Sequence, residues 1–96
     1  MSAPGYIIAR ISVTNPKGYA KYVAQTPDLA AKFGGEFIVR AGQHVYREGT
    51  GGDRVVVIRF PSFEAANTFY DSPDYQAILP LALDNSKRDL VIVAGV

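Results

Sequence analysis

Residues 54–62 read Arg54-Val55-Val56-Val57-Ile58-Arg59-Phe60-Pro61-Ser62, and the order of the other elements follows from this stretch. Val55 to Ile58 are all β-branched, which suits a pleated strand, and Pro61 closes the run. The run is apolar on both faces. Ser62 then caps a short helix carrying Ala65, Ala66, Phe69 and Tyr70, and Ser72-Pro73-Asp74 opens another whose apolar face is Tyr75, Ile78, Leu79 and Leu83, with Pro80 near its end. Arg88 to Ala94, with Leu90-Val91-Ile92-Val93 inside it, is a closing strand.

Upstream, Tyr6 to Val13 is a first strand, and Asn15-Pro16 is the cap and first residue of a helix. Tyr19, Tyr22, Val23, Ala30 and Phe33 recur at helical spacing as one amphipathic stripe. Thr26-Pro27 repeats the cap-then-proline pattern and predicts a kink or a restart, since proline removes a helical hydrogen bond. Gly34-Gly35 ends the helix. Glu36 to Ala41 is a second strand, with Gln43 to Glu48 a candidate extension beyond a bend at Gly42, and Gly49 to Asp53 is a turn.

The order strand, helix, strand, strand, helix, strand within one domain over residues 1–96 predicts a ferredoxin-like α+β fold, βαββαβ, with a four-stranded antiparallel sheet. Two helical segments cover one side of that sheet, yet the first, third and fourth strands carry Ile, Val or Leu on both sides. A face of four strands about 4.8 Å apart and about six residues long spans on the order of 400 Å², a large apolar patch for a monomer. A homodimer packed sheet to sheet is the expectation; folding of the Gly42 to Asp53 segment over its own sheet is the alternative.

Composition bounds the function. The 96 residues are 48% hydrophobic and 20% charged, with a net charge of +1. Such a chain has no field to hold a polyanion, and nucleic-acid and membrane partners are not expected. Without cysteine there are no disulfides, thiolate nucleophiles or cysteine metal sites. One histidine and scattered acids make no ordinary zinc site, and no metal or other cofactor is expected. The N-terminal Met1 to Gly5 has no basic n-region, Arg10 cuts the apolar stretch after it, and no run reaches the ~20 apolar residues of a membrane span, so the expected location is cytoplasmic.

The chain resembles an uncharacterised family, domain of unknown function 1330, within the dimeric α+β barrel superfamily. The resemblance is carried by Ile8-Ala9-Arg10, Tyr19 and Tyr22, Gly34-Gly35 with Val39-Arg40, Glu48-Gly49, Phe60 to Ala66, Ser72 to Gln76 and Leu90 to Val93. It implies two ferredoxin-like subunits forming a barrel, and no known reaction. Two positions depart from the family pattern: Leu81-Ala82-Leu83, where members often have an arginine, and Ala94, where they often have a glutamate.

Alternation places Ile8 and Arg10 on one side of the first strand, Glu36, Ile38 and Arg40 on one side of the second, and Val57 and Arg59 on one side of the third. On a shared side, Arg10, Arg40 and Arg59 would converge, and guanidinium forks suit a small organic acid. The alternative is that they pair with Glu36, Glu48 or acids of a partner subunit. His44, the one side chain that ordinarily titrates near neutrality, is the candidate catalytic proton shuttle; its loop context equally fits a surface role. Tyr22 and Tyr70 are candidate substrate contacts on apolar stripes, and Tyr75, beside a cap, reads as structural.

Two functions stand open: a cofactor-free enzyme acting on a small anionic or aromatic metabolite at the sheet face, and a non-catalytic homodimer that binds a metabolite or serves as a structural partner. The enzyme reading draws on superfamily analogy, through its monooxygenases, isomerases and decarboxylases.

Overall fold

In the computed structural model, which describes residues 3–96, the elements run β1 (Gly5–Val13), α1 (Pro16–Val23), α2 (Thr26–Lys32), β2 (Glu36–Arg40), β3 (Arg54–Phe60), α3 (Phe63–Asp71), α4 (Pro73–Leu83) and β4 (Ser86–Ala94). Met1 and Ser2, part of the stretch used in the signal-peptide reading, lie outside the described residues. The four strands form one antiparallel sheet in the order β2-β3-β1-β4, the ferredoxin-like arrangement.

Local chemistry sets each boundary. Asn15 Oδ1 accepts from the Gly18 amide at 3.4 Å and Pro16 opens α1. The restart at Thr26-Pro27 is real: α1 stops at Val23, and the Tyr22 carbonyl accepts from the Gln25 amide at 3.1 Å and from the buried Thr26 hydroxyl at 2.6 Å, so the last turn of α1 is closed where α2 begins. Gly34 follows α2 with φ of 81°, the left-handed conformation that glycine adopts without steric cost. Ser72 serves two helices at once. Its hydroxyl donates to the Phe69 carbonyl at 2.7 Å and accepts from the Tyr75 amide at 3.2 Å, closing α3 and opening α4.

Helix α4 continues through Pro80. Its last carbonyls are taken by side chains, Asn85 Nδ2 donating to Leu81 at 2.7 Å and Ser86 Oγ to Ala82 at 2.6 Å. Strand β4 begins at Ser86, two residues before the position expected from sequence, because Ser86 and Lys87 still pair with Val13 and Ser12 of β1. Gln43 to Glu48 forms no strand: Ala41 turns the chain out of β2 with a positive φ of 54°, and an exposed loop leads to β3.

The core lies between the helices and one face of the sheet. Ile7, Ala9 and Ile11 of β1 and Val56, Ile58 and Phe60 of β3 meet Tyr19, Tyr22, Ala30, Ala66, Phe69, Tyr75, Ile78 and Leu79 from the helices. The opposite face carries Ile8, Val55, Val57, Val91 and Val93, and among the described residues no helix covers it; Val91 is 53% exposed and Val93 41%. The loop from Ala41 to Asp53 reaches one end of that face, where Gly52 sits against Ser12 and Thr50 to Gly52 border Arg10 and Asp89, and it leaves Val91 and Val93 exposed. Among the described residues no helix is long and apolar enough to cross a membrane.

Candidate functional site

Strand periodicity puts Arg54 in phase with the buried Val56, Ile58 and Phe60, and Arg88 in phase with Leu90 and Ile92, so both arginines face the helices. They stand in one row. Ile11 of β1 pairs with Arg54 on one side and Arg88 on the other. Above that row the break between α1 and α2 leaves the sheet incompletely covered, and a cavity opens there with about 540 Å³ of empty space, its mouth included. Ile7, Ala9, Ile11, Val56, Ile58, Phe69 and Leu90 make its apolar floor and walls, while Tyr19, Tyr22, Thr26, Tyr75, Arg40, Arg54 and Arg88 supply its polar atoms. The lining contains three arginines and no Asp, Glu or His.

Arg88 is the centre of the polar end. Its Nη2 donates to Tyr75 Oη at 2.9 Å, and its Nη1 lies 3.3 Å from Tyr22 Oη and 3.5 Å from Tyr19 Oη. Tyr22 and Tyr75 share a hydrogen bond of 2.7 Å between their hydroxyls. The rings are fixed by packing, Tyr75 against Phe69 with centroids 4.7 Å apart and Tyr19 against Tyr22 at 5.4 Å.

A count of donors defines what this cluster lacks. Tyr22 and Tyr75 carry two hydroxyl protons, and their mutual bond uses one. The second, and that of Tyr19, have no acceptor among the described residues. Arg54 Nε is buried without a partner, while its guanidinium lies 5.8 Å from the Tyr19 ring centre. The only ion pair among the described residues, Arg10 with Asp89 at 3.0 Å, is exposed on the far side of the sheet. The cavity therefore has surplus donors and uncompensated positive charge.

Burial pushes the Tyr75 phenol well above its ordinary pKa, Tyr22 adding to the shift and Arg88 opposing it. Burial likewise raises Tyr19 against the pull of Arg88. For Arg88, burial alone disfavours the cation, but the oxygens of Tyr22 and Tyr75 outweigh it and hold the group above the usual arginine value. At neutral pH Arg88 is a cation, and Tyr19 and Tyr75 keep their protons and can donate.

The expected convergence of Arg10, Arg40 and Arg59 is not found. A β-bulge between Phe37 and Val39 shifts the register of β2, so that Arg40 pairs with Val56 and turns to the helix face, where it lies at the cavity wall with its guanidinium 4.8 Å from the Phe37 ring centre. Arg10 and Arg59 are on the opposite face, four residues apart in register, and Arg59 stands opposite Glu36. His44 is exposed in the loop after β2, its Nδ1 3.0 Å from the Gly42 carbonyl and its ring edge-on to Tyr46, and it does not line the cavity. Tyr22 lines it, whereas Tyr70 stands behind it, packed on Tyr75 with ring centres 5.2 Å apart. Sequence reasoning passed over Arg54, Arg88 and the hydroxyls of Tyr19 and Tyr75. The signal for both arginines is the same: a charged residue in phase with the apolar positions of its strand. Among the described residues no three His, Cys, Asp or Glu side chains cluster as metal ligands.

A family model described as a domain of unknown function (DUF1330) matches residues 4–96. No curated protein matches the chain. Among solved structures, the RPA0582 protein of unknown function from Rhodopseudomonas palustris superposes with a TM-score of 0.76 at 14% identity, covering 100% of this chain and 85% of that one. SnoaB, a cofactor-independent oxygenase from Streptomyces nogalater, gives 0.66 at 14% identity over 99% and 95% of the two chains. A dimeric ferredoxin-like protein of unknown function from Thermobifida fusca gives 0.67 at 18% identity over 99% and 93%. At these identities the likeness is one of fold.

Proposed function

This chain belongs to the family described as a domain of unknown function (DUF1330), and we propose that its helix–sheet cavity binds a small organic anion with an apolar body and acts on it as a cofactor-free enzyme. The observation that carries this reading is Arg88, a half-buried cation bonded to phenols with no carboxylate in the cavity. Buried cations are ordinarily paired, because an unpaired charge away from water is costly. An anion at this end would supply the missing partner and accept the unspent hydroxyl protons.

Fixed N–H and O–H donors at one end of a cavity with largely apolar walls form the kind of site that stabilises a carboxylate, an enolate or a phenolate. The tyrosines with raised pKa keep their protons and act as donors, so their contribution is to hold an anion in place. In this reading Arg88 and Arg54 take the anion-holding role, with Arg40 at the wall and Tyr22 in the cluster. His44, outside the cavity, is not needed. The likeness in fold to a protein described as a cofactor-independent oxygenase favours chemistry on a stabilised anion, by analogy alone.

A second reading, a non-catalytic homodimeric binder, is favoured by one observation: the lining has no Asp, Glu or His to remove a proton from a ligand. Both readings include a homodimer through the uncovered face of Ile8, Val55, Val57, Val91 and Val93, supported by its apolar character and by the dimeric description of the Thermobifida fusca protein.

Thermal denaturation with a panel of small aromatic and aliphatic carboxylates tests the shared core of these readings. Wild type is expected to gain stability with the best acids and the Arg88→Met protein to gain none, since bound ligand stabilises only the state that binds it. Equal gains in both proteins would contradict the assignment.

A further inference from the structure

Resting on the anion-pocket reading above, we propose that the natural ligand carries two anionic groups, one held by Arg88 and its phenols and the other by Arg54, so that the substrate class is a small dicarboxylate or its oxo-acid equivalent.

Three observations converge on this. Arg54 and Arg88 flank Ile11 in one cross-strand row, on the same face of the sheet and two strand spacings apart, about 10 Å between backbones. Their side chains lean toward a common element: Arg54 approaches the Tyr19 ring at 5.8 Å and Arg88 approaches the Tyr19 hydroxyl at 3.5 Å. Tyr19 thus stands between two guanidiniums. Finally, Arg54 Nε is buried with no hydrogen-bond partner, and a buried N–H without an acceptor is rare in a folded protein.

A single carboxylate on Arg88 would leave that N–H orphaned and the second cation uncompensated. A second carboxylate, set off from the first by a short spacer or a ring, would satisfy both. The apolar floor between the arginines, formed by Ile11 and Ala9, fits the hydrocarbon part of such a molecule. Arg40 does not take this second role, being exposed and already stacked on Phe37.

Titration calorimetry on the purified protein, with two matched pairs of probes, tests the proposal: benzoate against terephthalate, and hexanoate against adipate. The better diacid is expected to bind wild type about tenfold more tightly than its monoacid, the effect of one further charge-assisted hydrogen-bonded pair. In Arg54→Gln that advantage should vanish, read as the ratio of diacid to monoacid affinity within the same protein. In Arg88→Met binding of all four should be lost. Equal affinity of monoacids and diacids for wild type would overturn the second anion site and leave the first standing; no binding of any probe would overturn both. The wild-type comparison needs no variant, so it decides the question even where Arg54→Gln folds poorly.

Discussion

Arg88 Nη2 donates to Tyr75 Oη at 2.9 Å, joining the last strand of the sheet to the first turn of α4 through a cation and a phenol. The bond ties the core to the proposed anion site. Tyr75 is among the most deeply buried side chains of the core, and its hydroxyl is also part of the polar end of the cavity.

Removing only that hydroxyl separates the two roles. Tyr75→Phe keeps the ring packed on Phe69 and Tyr70 and is expected to cost about 1 kcal/mol of stability, the net worth of an ordinary hydrogen bond. Chemical denaturation measures the cost, and affinity for benzoate should fall with it. A loss of stability with unchanged affinity would place Tyr75 in the core alone.

The alkaline limb of stability carries the signature of the buried phenols. Tyr19 and Tyr75 have folded pKa values above the 10.0 of an exposed tyrosine, so the unfolded chain loses these protons first. Their contribution is complete below the unfolded value and is lost as pH rises above it. Denaturation midpoints should therefore hold steady up to about pH 9 and fall beyond about pH 10, less steeply in Tyr75→Phe.

Ser72 caps two helices with one hydroxyl, so Ser72→Ala should cost about 1–2 kcal/mol, at the upper end for a cap. Because the amide it accepts from belongs to Tyr75, benzoate affinity should weaken in the same variant. Calorimetry on the folded protein measures the second effect independently of the first.

The uncovered sheet face predicts the assembly. Light scattering at micromolar concentration should give about twice the chain mass of 10.4 kDa, and Val91→Asp, which sets a charge on that face, should shift the mass to one chain with unchanged far-ultraviolet circular dichroism. A wild-type monomer would contradict the sheet-to-sheet dimer.

The elements were legible because their signals are local: Asn15-Pro16, Ser62 and Ser72-Pro73 are caps whose chemistry needs no tertiary context, and the Val55 to Ile58 run admits little but a strand. Arg40 was misplaced because a one-residue bulge inverts strand parity, and nothing in Glu36 to Ala41 marks that residue in advance. Arg54 and Arg88 were overlooked for another reason. Arg54 opens β3 and Arg88 opens the closing strand as the sequence predicts it, and a charged residue there reads as a solvated end until the neighbouring helices are seen to overhang it. The tyrosines were correctly placed on apolar stripes, but which hydroxyls meet depends on how α1 and α4 pack together.

A crystal structure of the protein grown with benzoate tests the central claim most directly. The account predicts the carboxylate within hydrogen-bonding distance of Arg88 and of a tyrosine hydroxyl, with the ring on the apolar floor of the cavity. Benzoate bound instead at Arg10 and Lys87 on the opposite face, with the Arg88 cluster unchanged, would contradict it.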